Sequence, residues 1–180
     1  MFGSKAGQLV RFDAGGGASL TFGPDGGGSA KPRADRNTVT YAGAAAGADL
    51  SYAVQPNALK ESIVLATAPT SASWSFAVKA AGLRAWQRPD GSIAFYRGGF
   101  DGPPVLVMPK PYMGDAKADA VSPYGKVWSP KVSQSMRWDA KAGLLHVTVT
   151  ADQAWLRDPE RVYPVVIDPT IELQPLPEDS

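Results

Sequence analysis

The chain has 180 residues, enough for one domain with a real core. With 44% hydrophobic and 19% charged residues it has a globular balance, and a net charge of +1 with scattered Lys and Arg gives no electrostatic case for nucleic acid or an anionic membrane as partner. Cysteine is absent, which excludes disulfides and thiolate chemistry, and no apolar run approaches the roughly 20 residues of a membrane span.

Residues 1–37 pack glycine runs around one short apolar stretch, Ala18 to Phe22, and read as a flexible segment or a strand arm. From Thr38 the pattern changes. "TVTYAG" places Val39 and Tyr41 on one face, and "ADLSYAV" does the same with Leu50, Tyr52 and Val54, so the two predict a hairpin. "ALKESIVL" turns Leu59, Ile63 and Leu65 one way. "SWSFAVKA" alternates Trp74, Phe76 and Val78 against small and polar residues. "LRAWQRPDGSIAFYRG" predicts two strands around Pro89-Asp90-Gly91, where proline sets φ and glycine takes the left-handed turn position. "PPVLVM" is a short strand framed by prolines, which predicts an edge position. Pro109 to Pro130 reads as a long loop.

"KVSQSMRWDAKAGLLHVTVTAD" predicts a second hairpin, and "ADQAWLRD" a one- or two-turn helix with Asp152 as its cap. "YPVVID" is a closing strand, and 171–180 reads as a proline-rich linker. About ten short strands with minimal helix predict an all-β fold, an antiparallel β-sandwich over residues 38–170. Trp74, Trp86, Phe95, Tyr96, Trp138 and Trp155 are expected to supply much of its core.

Catalytic patterns are scarce. His146 is the single histidine, and its strand pattern puts it with Leu144 and Thr148, opposite Leu145, Val147 and Val149. No G-x-S-x-G elbow accompanies it. Asp115 and Asp119 could offer oxygen ligands to calcium but lack a loop motif, so no cofactor or metal is expected. Tyr112, Tyr124 and Trp128 cluster in the proline-rich stretch and are the candidate ligand-binding residues, since exposed rings stack on flat partners. Adjacent Lys60 and Glu61 point to opposite faces of a strand. One is expected to be buried and paired, Lys60 with Asp115 or Glu61 with Arg161.

Five blocks in order carry a resemblance. They are "ADLSYAVQPNALKESIVL", with Asp49, Tyr52, Val54, Lys60, Glu61, Ile63 and Leu65; "SFAVKAAGL"; "DGSIAFY"; "MPKPYMGDA", with Pro109, Pro111, Met113 and Asp115; and "LLHVTVTADQAWLRDPERVYPVVIDPT". The chain resembles the β-rich module that precedes DNRLRE domains or YD repeats in secreted, RHS-type wall-associated and polymorphic-toxin bacterial proteins. The resemblance implies an extracellular or cell-wall location, with a signal peptide upstream. It implies a non-catalytic structural module, not an enzyme, that spaces or scaffolds neighbouring domains. The alternative is a carbohydrate- or cell-wall-binding module using the loop aromatics, and a carboxylate-dependent hydrolase is a distant third. The partners implied are neighbouring domains of the parent chain and cell-wall polysaccharide, with no nucleic acid and no membrane insertion.

Overall fold

The computed structural model describes residues 1–5, 7–26 and 30–174. In chain order the strands are β1 (Phe2–Lys5), β2 (Gln8–Asp13), β3 (Ser19–Pro24), β4 (Arg33–Asp35), β5 (Thr38–Ala45), β6 (Ala48–Gln55), β7 (Ala58–Leu65), β8 (Ser73–Ala81) and β9 (Arg84–Gln87). They continue with β10 (Ile93–Tyr96), β11 (Leu106–Met108), β12 (Tyr112–Ala118), β13 (Lys126–Ser129), β14 (Val132–Asp139) and β15 (Leu144–Ala151). One short helix, α1 (Gln153–Arg157), precedes β16 (Val165–Asp168) and β17 (Ile171–Leu173).

The strands form a six-stranded sheet, ordered β1-β2-β3-β8-β15-β14, and an eleven-stranded sheet. The larger sheet runs β13-β12-β16-β7-β17-β11-β10-β9, with β4, β5 and β6 joined in series to β7. Every pairing is antiparallel, and neither sheet closes on itself, so the fold is the β-sandwich that the alternation implies.

Strand β7 is the hub. One side pairs with β6; the other receives β17 at Ala58 and Leu59 and β16 at Ile63 to Leu65. Alternation along β7 buries Leu59, Glu61, Ile63 and Leu65. Opposite them the smaller sheet supplies Leu20, Phe22, Phe76, Val78, Val147 and Val149, all in one continuous core.

Several expectations are corrected by this arrangement. Phe2–Lys5, Gln8–Asp13 and Ser19–Pro24 are built into the smaller sheet as β1, β2 and β3, with Leu9, Val10, Leu20 and Phe22 buried. Gly23 shows why glycine stands there: a Cβ would lie 2.9 Å from the backbone carbon of Gly7. Tyr41 reaches across from the other sheet, and its hydroxyl donates to the carbonyls of Gly3 (2.8 Å) and Leu9 (2.9 Å). At the other end Ile171–Leu173 forms a strand between β7 and β11, so the structured part runs past residue 170. Residues 175–180 of the expected linker lie outside the described residues.

Strand β11 is interior, flanked by β10 and β17, because its framing prolines stand just outside the three residues that pair. The stretch read as a long loop folds instead as the hairpin β12–β13. "YMGDAKA" carries few β-branched residues, so its strand character comes from its place beside β16. Trp74, Phe95 and Tyr96 are buried as expected, but Trp86 and Trp138 are 53% and 60% exposed. Trp86 lies on the outward face of the edge strand β9, and Trp138 stands one residue from the end of the edge strand β14.

Candidate functional site: an aromatic platform over a buried carboxylate network

The hairpin β12–β13 lies at one edge of the larger sheet, and its outer face brings the three candidate rings together. Tyr112 and Tyr124 are stacked, with ring centroids 3.9 Å apart and planes 11° apart. Trp128 stands edge-on to both, 5.1 Å from Tyr124 and 6.4 Å from Tyr112. Tyr124 is exposed, whereas Tyr112 and Trp128 are half-buried. Gly114 sits directly across from Trp128, and the Lys126 stem lies over it where a Cβ would stand 3.0 Å from Cε. In the turn at 119–125, Asp119 accepts from the Val121 amide and Ser122 from the Tyr124 amide. Tyr124 is therefore presented by a fixed turn.

Beneath the platform lies a charged network. Tyr112 is opposite Asp168 in the β12–β16 register, and its hydroxyl donates to Asp168 Oδ2 at 3.1 Å. Lys60 Nζ is 2.7 Å from the same oxygen. Burial, then the neighbouring Asp168 carboxylate, pushes the Tyr112 phenol up from its ordinary value. On the inner face of β7, Glu61 is buried and accepts the Tyr52 hydroxyl at 2.7 Å. Burial raises the Glu61 carboxyl to about 8; the Tyr52 hydrogen bond opposes this, and the Asp168 charge adds to it. Next to this network, Asp115 is buried and bonded to Arg161 Nη1 at 3.0 Å, and also accepts the Lys117 and Val162 amides.

The expected pairings of the Lys-Glu dipeptide are thus corrected. Lys60 pairs with Asp168 and not Asp115, while Glu61 pairs with Tyr52 and not Arg161. In sequence Asp168 stands beside Pro169. No sequence signal ties it to Lys60, because the contact depends on β16 docking against β7. Asp115 and Asp119 are occupied with Arg161 and with a turn amide. Among the described residues no three His, Cys, Asp or Glu side chains gather to hold a metal.

His146 lies on the outer face of the smaller sheet. Its Nδ1 is 2.5 Å from Asp25 Oδ2 and its Nε2 is 3.8 Å from Asp139 Oδ2. The same face carries two cross-strand hydroxyl pairs, Ser75–Thr148 and Ser73–Thr150. Asp25 follows β3 directly, so the His146 contact fastens that strand's end across β8 to β15.

Fold and site define a β-sandwich domain with an aromatic edge platform and an internal ionic network. No family model matches the chain, and no solved structure does. Among characterised proteins it is similar to the tRNA nuclease WapA of Bacillus subtilis (strain 168) and the tRNA3(Ser)-specific nuclease WapA of Bacillus spizizenii. It is equally similar to the tRNA(Glu)-specific nuclease WapA of Bacillus subtilis subsp. natto. Identity to each is 47% over 92 residues, which is 51% of this chain and 4% of the relative.

These relatives correct three expectations. The assignment to an RHS/YD-type module gives way to likeness to proteins named tRNA nucleases. The reading as a non-catalytic scaffold, with its carbohydrate-binding alternative, and the reading as no enzyme fall with it, since the proteins that share this segment are named for catalysis. The physical reason is visible in the fold. "WLRDPERVYPVVIDPT" builds the end of α1, a turn and β16, and the other blocks are likewise strand and turn. Such blocks specify a fold and are silent on the chemistry of the protein that carries them.

Proposed function

We propose that this chain is one β domain of a large tRNA-cleaving protein toxin located outside the cell or in the cell wall. The observation that carries the reading is its 47% identity over 92 residues to three proteins named tRNA nucleases. The activity proposed, hydrolysis or transesterification of a tRNA phosphodiester, is that of the whole protein. The domain's partners are neighbouring domains of the same polypeptide. The platform of Tyr112, Tyr124 and Trp128 is a contact surface, with one ring exposed and two held half-buried behind it.

The test is to purify the full-length parent that contains this segment and incubate it with total tRNA. Discrete tRNA fragments on a denaturing gel support the reading. Intact tRNA after incubation with a folded parent overturns it. For the platform, Tyr124→Ala in the full-length protein should raise the solvent accessibility of Trp128 and leave the melting temperature of the isolated domain unchanged. An isolated domain that melts lower shows the ring to be a packing residue and removes the contact role.

A further inference from the structure

At the end of the sandwich away from β12–β13, the two sheets stop at unmatched edges. Strand β9 is the last strand of the larger sheet and β14 the last of the smaller one. Between them opens a cleft of about 290 Å³, lined by Leu83, Ala85, Phe100, Met136, Trp138 and Leu145. Its walls are mainly apolar, and Arg84 stands at its mouth with its guanidinium over the Phe100 ring at 4.8 Å. Trp138 is 60% exposed and Phe100 38%. Two large rings at one rim form the kind of apolar patch that marks an interaction surface.

The β14 edge shows what kind of partner fits. The Gln87 side-chain amide donates to the Gln134 carbonyl at 2.9 Å, and its oxygen accepts the Met136 amide at 3.1 Å. These are the carbonyl and amide that a neighbouring strand would use, so Gln87 stands in for one residue of a strand added to β14. Gln134 holds this part of the edge rigid by donating to the carbonyls of Met108 and Pro109. Beyond Met136 the strand continues through Arg137 and Trp138 to Asp139, and among the described residues β14 pairs with β15 alone. An extended peptide laid along this stretch would make main-chain hydrogen bonds to it. It would also turn alternate side chains into the cleft, which has room for one large aromatic or two aliphatic groups.

We infer that the β9–β14 cleft seats an extended, apolar segment of the same long polypeptide, which adds a strand to β14 and places a large apolar side chain between Leu83, Met136 and Trp138. This rests on the reading of the chain as a domain of a much larger protein. In the relatives the matched segment is only 4% of the chain, so nearly all the polypeptide is other sequence tethered to this domain. Tethering raises effective concentration, so a short strand with one anchoring side chain suffices. Arg84 at the mouth favours an acidic residue beside that anchor.

The experiment is hydroxyl-radical footprinting of Trp138, with Trp86 on the outer face of β9 as the reference, read by mass spectrometry on the isolated domain and on the full-length parent. The inference expects Trp138 to be oxidised freely in the domain and several-fold more slowly, relative to Trp86, in the parent. It also expects slowed amide exchange in the β14 peptide of the parent, and Trp138→Asp in the parent should restore fast exchange there. Equal oxidation rates in domain and parent overturn it. Protection that appears in the isolated domain and grows with its concentration also overturns it, since a second copy would then be the occupant. Assaying tRNA cleavage on the same parent sample separates the two readings. Cleavage with Trp138 unprotected sinks this inference alone, and protection without cleavage sinks only the proposed activity.

Discussion

Glu61 offers the sharpest physical test. It occupies an inward position of β7 between Leu59 and Ile63, fully buried, with the Tyr52 hydroxyl as its hydrogen-bond partner. Burial raises its carboxyl from 4.5 to about 8, so the folded protein holds a proton that the unfolded chain releases. Below about pH 4.5 both states are protonated and Glu61 costs nothing extra. As pH rises from 4.5 to 8 the unfolded state alone ionises, and stability falls by about 1.4 kcal/mol per unit. The loss reaches about 3 kcal/mol at pH 7 and about 5 kcal/mol above pH 8.

Glu61→Gln keeps the shape and the acceptor for Tyr52 and removes the titration. Urea unfolding followed by tryptophan fluorescence at pH 5, 6, 7 and 8 measures the difference. The variant should match the parent sequence near pH 5 and be more stable by about 3 kcal/mol at pH 7. Parallel stability profiles for the two proteins across this range would refute the assignment of a protonated, buried Glu61.

Other substitutions test other parts of the structure. Arg161→Met leaves Asp115 buried without its cation and should cost about 3–5 kcal/mol in chemical unfolding. Lys60→Met should cost only about 1 kcal/mol, because Lys60 is partly exposed and Asp168 keeps the Tyr112 and Thr170 hydroxyls. Tyr41→Phe strips a donor from the Gly3 and Leu9 carbonyls and should cost about 1–3 kcal/mol, with faster amide exchange in β1 and β2. Gly23→Ala drives a methyl into the Gly7–Gln8 backbone and should lower the melting temperature, while Gly114→Ala meets only the flexible Lys126 stem and should change it little.

The hairpins β5–β6 and β14–β15, strands β7 and β8, and the capped helix were legible in the sequence because alternation and turn chemistry are local signals. Asp152 caps α1 by accepting the Ala154 and Trp155 amides, as its position predicts. The hairpin β12–β13 was not legible, since a sheet neighbour and not strand propensity makes "YMGDAKA" extended. Two tryptophans were assigned to the core because ring size usually means burial, yet which strands stand at the edges, and which of their faces turns outward, depends on sheet order.

The three candidate rings could be grouped from sequence, but their stacking depends on the turn that presents Tyr124. Charge partners were the least legible. Adjacent Lys60 and Glu61 were seen to face opposite ways, but Asp168 and Tyr52 reach them only through the β16–β7 and β6–β7 registers. Parent chemistry was outside what strand and turn motifs encode.

The proposal that this domain belongs to a tRNA-cleaving protein is tested most directly by sequencing tRNA ends after incubation of pooled tRNA with the purified full-length parent. New ends at defined positions in particular tRNAs are expected. Ends indistinguishable from those of untreated tRNA would contradict it.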